Sequence, residues 1–122
     1  MKKVLIVEDD KDFLWLLRQS FENQGLSVNY AVDGEEGLAM AEKEKPDLIM
    51  IDILLPKMDG ITMAKKIKEK GVDSQMLFLT NLKDPQHISE VMNVAVGADY
   101  IVKSDMHIDA IVDRVKSKLG IK

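Results

Sequence analysis

Five short apolar runs alternate strictly with longer amphipathic segments, and that alternation leaves few folds open to this chain. The runs cover residues 3–7, 27–32, 47–51, 75–79 and 99–102. Between the first two, Phe13, Leu16, Leu17, Ser20 and Phe21 follow the i, i+3, i+4 spacing of one helix face. Gly25 then stands where a helix ends. The same periodicity predicts helices over about 35–45, 61–70, 85–96 and 108–119. Strands that each return through a helix of this length are parallel and joined by right-handed crossovers. The first, third and fourth runs are almost continuously apolar, as central strands covered on both faces are. The second, SVNYAV, alternates polar with apolar and runs into Asp33-Gly34, which reads as an edge strand ending in a turn. The prediction is an α/β fold with a doubly wound, five-stranded parallel sheet in the order 2-1-3-4-5.

A chain of 122 residues suits one domain, 1–122, and no Ser/Gly/Pro-rich or low-complexity stretch divides it. The absence of cysteine excludes disulfides, thiolate metal sites and a Cys nucleophile. A net charge of −4, with no basic cluster to offset it, argues against direct nucleic-acid binding by this chain. The N-terminus MKKVLIVEDD has only the apolar run Val4–Val7 between its lysines and its acids, too short for a signal peptide or a membrane span. A cytoplasmic protein is expected.

In a sheet of this order the strand C-termini gather along one edge, and ligands bind in the crevice there. Four runs end in an ionisable or hydroxyl residue: VLIV before Glu8-Asp9-Asp10, LIMI before Asp52, MLFL before Thr80 and YIV before Lys103. Asp52, flanked by apolar residues on both sides, is thus expected at the mouth of a crevice facing other charges. Glu8, Asp9 and Asp52 together make an oxygen-rich site for a hard divalent cation such as Mg²⁺. Thr80 offers a hydroxyl and Lys103 a point charge, both suited to a phosphoryl group. A carboxylate in such company can itself be a nucleophile toward phosphorus. Each residue alone has a plainer use, since acids at a helix start act as caps and complement its dipole. Asp9 or Asp10 fits that role for the first helix.

VEDD after the first strand, IDILLPKMDG after the third, FLT at the fourth and GADYIVK at the fifth resemble the receiver domain of two-component response regulators over nearly the whole chain. That resemblance implies a flavodoxin-like three-layer αβα fold. It also implies that Asp52 is the phospho-acceptor, and that Glu8 and Asp9 hold Mg²⁺ with help from the backbone carbonyl of Leu54. Thr80 and Lys103 would grip the phosphoryl oxygens, and Tyr100 would be the aromatic that turns inward as the threonine moves. Pro56 and Gly60 would only shape the loop. The implied donor is a histidine kinase or a phosphotransfer protein. The implied output is an unknown partner that meets the face of the fourth helix, fifth strand and fifth helix. Such a domain assists its own phosphorylation and dephosphorylation and is not otherwise an enzyme.

Three positions depart from the family pattern. Asn81 stands where a small residue is usual, Ser104 replaces the usual proline, and one residue, Asp99, separates Ala98 from Tyr100 where two are usual. Leu14 and Trp15 fall off the expected buried stripe one turn from the acids, which suggests a docking surface. Two alternatives compete. A haloacid dehalogenase-type phosphatase needs a second Asp two residues after its nucleophile, where this chain has Leu54. A receiver-fold scaffold would work without phosphorylation.

Overall fold

The computed structural model describes residues 1–121; Lys122, the last residue of the expected domain, lies outside them. Elements alternate as predicted. They are β1 (Lys3–Val7), α1 (Lys11–Glu22), β2 (Ser27–Ala31), α2 (Gly34–Glu44), β3 (Leu48–Ile51), α3 (Gly60–Glu69), β4 (Gln75–Thr80), α4 (Pro85–Val94), β5 (Asp99–Val102) and α5 (Ile108–Leu119), with a short 3-10 turn over Lys103–Asp105. The five strands pair in parallel in the order β2-β1-β3-β4-β5.

Side chains on successive strand residues point to opposite faces, and the core divides accordingly. Leu5, Val7, Ile49, Ile51, Met76 and Phe78 pack with Ala41 of α2, Met63 and Ile67 of α3 and Val91 of α4. On the other face Val4, Ile6, Leu48, Met50, Leu77 and Leu79 meet Leu14, Leu17 and Phe21 of α1 and Ile111 and Val115 of α5. Two helical layers therefore enclose the sheet, and the central strands are apolar throughout because both their faces are covered.

Aspartates start four of the helices. Asp10, Asp33, Asp59 and Asp84 each accept a hydrogen bond from a backbone N–H of the first turn of α1, α2, α3 and α4. The two N–H groups of Asp12 and Phe13 both donate to Asp10, so of the two candidates Asp10 is the cap and Asp9 is left free of that task. Gly25 has φ +80°, and the Leu26 N–H reaches back to the Phe21 carbonyl, closing the end of α1 as expected.

Two expectations are corrected. The buried stripe of α1 is Leu14, Leu17 and Phe21, so Leu14 belongs to the core, whereas Leu16 is exposed. The spacing 14, 17, 21 satisfies the helical period as well as the expected stripe does; packing against the sheet and α5 selects it. Trp15 remains exposed, at 60% of its surface. We therefore expect Leu14→Ala to destabilise the domain by roughly 2–4 kcal/mol and Trp15→Ala by no more than about 0.5 kcal/mol in denaturant unfolding. The second correction concerns α4, which stops at Val94, two residues early. Ala95 leaves helical geometry and Gly97 takes φ +84°, which turns the chain directly into β5. Beyond that turn Tyr100 lies opposite Phe78, and Val102 opposite Thr80.

Candidate functional site

Parallel pairing puts the ends of β1, β3, β4 and β5 side by side, and the chain extends the ladder one step beyond them. The Asp52 N–H donates to the Val7 carbonyl at 3.1 Å, and the Glu8 N–H to the Ala31 carbonyl at 3.0 Å. Both side chains are thereby set by the sheet itself. Glu8 is 2% exposed and Asp52 7%, while Asp9 is open to solvent. One carboxylate oxygen from each of the three lies within 4.8 Å of the others. Asp52 is thus more enclosed than a crevice mouth suggests, yet it does face other charges.

The counter-charge is Lys103. Its Nζ lies 2.6 Å from Glu8 Oε1 and 3.0 Å from Asp52 Oδ2, with the ammonium 5.0 Å from the centre of the Phe13 ring. Such a pairing answers how two acids can be buried together, because an isolated buried carboxylate costs several kcal/mol. The remaining oxygens are also engaged. Asp10 N–H donates to Glu8 Oε2 at 3.1 Å, and Leu54 N–H to Asp52 Oδ1 at 3.3 Å.

Electrostatics follow from this enclosure. Burial pushes the Glu8 carboxyl above its ordinary value, and the Asp52 charge adds to that rise. Hydrogen bonds from Lys103 and the Asp10 N–H pull it back without cancelling it. Burial alone would lower the Lys103 ammonium, but its bonds to Glu8 and Asp52 outweigh burial and hold it above its usual value.

Thr80 ends β4 with no exposed surface. Its hydroxyl oxygen accepts a long, 3.5 Å contact from the Leu82 N–H. The half-buried Tyr100 donates its hydroxyl to the Leu82 carbonyl at 2.7 Å. The backbone of Leu82 is therefore the meeting point of Thr80 and Tyr100, a link the sequence did not reveal. Burial raises the Tyr100 hydroxyl, followed by the charges of Asp84 and Asp52, so it remains a donor. Asn81 and Ser104 are exposed, and no peptide bond among the described residues is cis.

The loop from Asp52 to α3 is tight. Gly60 N–H donates to the Ile53 carbonyl at 2.8 Å, and a Cβ on Gly60 would sit 2.2 Å from the Asp52 carbonyl oxygen. Only glycine permits that approach. Leu54 is exposed, at 60%, with its N–H on Asp52.

Comparison with known proteins bears on what these groups do. The response regulator receiver domain family matches residues 4–116 of the chain. The chain belongs to that family. The receiver is 42% identical over 103 residues to the alkaline phosphatase synthesis transcriptional regulatory protein PhoP of Bacillus subtilis, which covers 84% of this chain and 42% of that protein. It is 34% identical over 121 residues to the DNA-binding dual master transcriptional regulator RpaA of Synechocystis, covering 98% of this chain and 49% of that one. The receiver thus spans about half the length of these relatives. Among solved structures, a CheY-like receiver domain protein from Methanospirillum hungatei superposes with a TM-score of 0.91 at 29% identity, over 98% of this chain and 94% of that one. The CheX-CheY-BeF3-Mg²⁺ complex from Borrelia burgdorferi gives 0.86 at 30% identity, over 99% and 90%. Relatives of this kind are signalling receivers, and no helix among the described residues is long and apolar enough to cross a membrane.

Proposed function

We propose that the receiver is a phosphorylation switch in which Asp52 accepts a phosphoryl group from a histidine kinase or phosphotransfer protein. The observation that carries this reading is the convergence at one strand-end edge of three close acids, Glu8, Asp9 and Asp52, two of which, Glu8 and Asp52, share the Lys103 ammonium. Three carboxylates within 4.8 Å are a donor set suited to a hard oxygen-seeking cation. Glu8, Asp9, Asp52 and the Leu54 carbonyl are the groups assigned to hold Mg²⁺, which supplies charge neutralisation of the transferring phosphoryl group. The Borrelia complex contains BeF3 and Mg²⁺, which supports a part for that cation in a receiver of this kind.

In the transfer, an Asp52 carboxylate oxygen forms the new bond to phosphorus as the bond to the donor's nitrogen breaks, and the electron pair leaves with that nitrogen. Lys103 already stands 3.0 Å from Asp52 and serves the developing charge on a phosphoryl oxygen. Thr80 serves a second oxygen by turning its hydroxyl away from the Leu82 N–H. Tyr100, anchored on the neighbouring Leu82 carbonyl, responds to that turn. The face of α4, β5 and α5 then changes its affinity for an output partner, and the chain acts in the cytoplasm without binding nucleic acid itself. Exposed Trp15 on α1 is assigned to docking the protein donor. Buried Leu14 takes no part.

Metal binding tests the acids separately. Asp9 is free while Asp10 caps α1, so Asp9→Asn is expected to weaken Mg²⁺ binding at least about tenfold, or roughly 1.4 kcal/mol. Asp10→Asn, which keeps a capping oxygen, is expected to change it little. Titration followed by Trp15 fluorescence compares the two, and a larger loss in Asp10→Asn contradicts the assignment.

A further inference from the structure

The segment that leaves Asp52 is gripped from outside by a turn with no assigned role. Asp33 and Gly34 join β2 to α2, and Asp33 is buried although charged, at 8% exposure. Its Oδ1 accepts the Glu36 N–H at 2.8 Å, capping α2, while its Oδ2 lies 3.7 Å from Lys57 Nζ. Lys57 is the tip of the acceptor loop and holds φ +68°, a left-handed conformation that costs a lysine energy unless its surroundings impose it. Beside it, the Pro56 carbonyl accepts two N–H groups: Met58 from within the loop at 2.7 Å and Gly34 from the turn at 3.2 Å. A Cβ on Gly34 would sit 1.9 Å from the Met58 carbonyl oxygen. The turn and the loop are therefore in backbone contact, with an ion pair and a hydrogen bond across the contact.

At its other end the same loop touches the site. The Leu54 N–H donates to Asp52 Oδ1, and Gly60 closes against the Asp52 carbonyl. A loop held at Pro56–Met58 and at Gly60 has little freedom left for the residues between Asp52 and Pro56. We propose that Asp33 and Gly34 are positioning residues: their turn latches Pro56–Met58 and so holds the Leu54 backbone against the Asp52 carboxylate. The consequence for phosphate uptake rests on the reading of Asp52 as the acceptor; the latch itself does not.

Two variants break the latch differently. Asp33→Ala removes the ion pair with Lys57 together with the cap of α2, and Gly34→Ala forces the Met58 carbonyl away. Val115→Ala, in the core on the opposite face of the sheet, controls for loss of stability alone. The Leu54 amide resonance and its hydrogen exchange report the latch directly. Both latch variants should shift that resonance and speed its exchange by about tenfold or more beyond the change in Val115→Ala. They should also slow phosphate uptake from a small donor in Mg²⁺ by about tenfold, because small displacements of reacting groups are amplified in rate. If Gly34→Ala does not fold, Asp33→Ala decides. A Leu54 amide that behaves in Asp33→Ala as in Val115→Ala overturns the latch. A wild-type chain that takes up no phosphate overturns the acceptor reading instead, and the Leu54 amide still decides the latch.

Discussion

Asp52→Asn is expected to gain no phosphoryl group when incubated with a small phosphoryl donor and Mg²⁺, whereas the wild type gains one by intact-mass measurement. The loss should be complete, because the amide removes the attacking oxygen and one of three close carboxylates together. Three contacts orient Asp52 as acceptor. Its backbone is fixed by the Val7 carbonyl, its Oδ2 faces Lys103, and its Oδ1 is oriented by the Leu54 N–H. Glu8 is more deeply buried and pairs more closely with Lys103, which makes it a poorer nucleophile. Chelation of divalent cations should abolish the wild-type gain as well, since phosphoryl transfer is largely positioning and charge stabilisation. A gain of the same size in Asp52→Asn, or in the presence of chelator, contradicts the proposed function.

Lys103→Met is expected to be the most destabilising single change at this edge when no Mg²⁺ is added. It leaves Glu8 and Asp52 buried together without their ammonium, and breaking such a pair costs about 3 kcal/mol. The pH dependence identifies the cause. Burial already raises the Glu8 carboxyl above its ordinary 4.5, and loss of the Lys103 hydrogen bond raises it further. A carboxyl raised in the folded state binds its proton more tightly there than in the unfolded chain, so it favours folding most at low pH. That contribution is present below the ordinary value and is lost as pH rises through the folded-state value. The deficit of Lys103→Met relative to wild type should therefore be large at neutral pH and shrink as Glu8 takes up its proton. Added Mg²⁺ should recover part of it at neutral pH by supplying positive charge to the same oxygens. Urea unfolding at two pH values, with and without Mg²⁺, makes the comparison. Equal stability of variant and wild type at neutral pH without metal would show that Lys103 is not the counter-ion.

The opposite charges of these two residues also explain how a carboxylate tolerates its apolar neighbours. Asp52 sits between Ile51 and Ile53, both buried. Its side chain lies at the strand-end edge, where Lys103, the residue after β5, brings its ammonium to 3.0 Å. Ile53 returns to the core on the α3 side, which is why the apolar pattern resumes immediately after the charge.

Periodicity alone determined much of this protein. Period-2 and period-3.6 patterns are local, so the five strands, five helices, the edge position of β2 and the order of the sheet could be read from residues near one another in the chain. The acids and the lysine at the strand ends were legible for the same reason: parallel topology carries every strand C-terminus to one edge. The buried face of α1 was not, because Leu14 and Leu16 each fit a helical stripe and only the arrival of the sheet and α5 chooses between them. Neither was the early end of α4, where a left-handed Gly97 sets the register of Tyr100. The bond of Lys103 to Glu8 spans most of the chain and its bond to Asp52 spans 51 residues, and no local pattern encodes such pairings. The same holds for the Leu82 backbone joining Thr80 to Tyr100, and for the Asp33–Gly34 turn against the loop after Asp52. Which residues carry charge was written in the sequence; which charges meet was decided by the sheet, because only folding brings residues distant along the chain within hydrogen-bond reach.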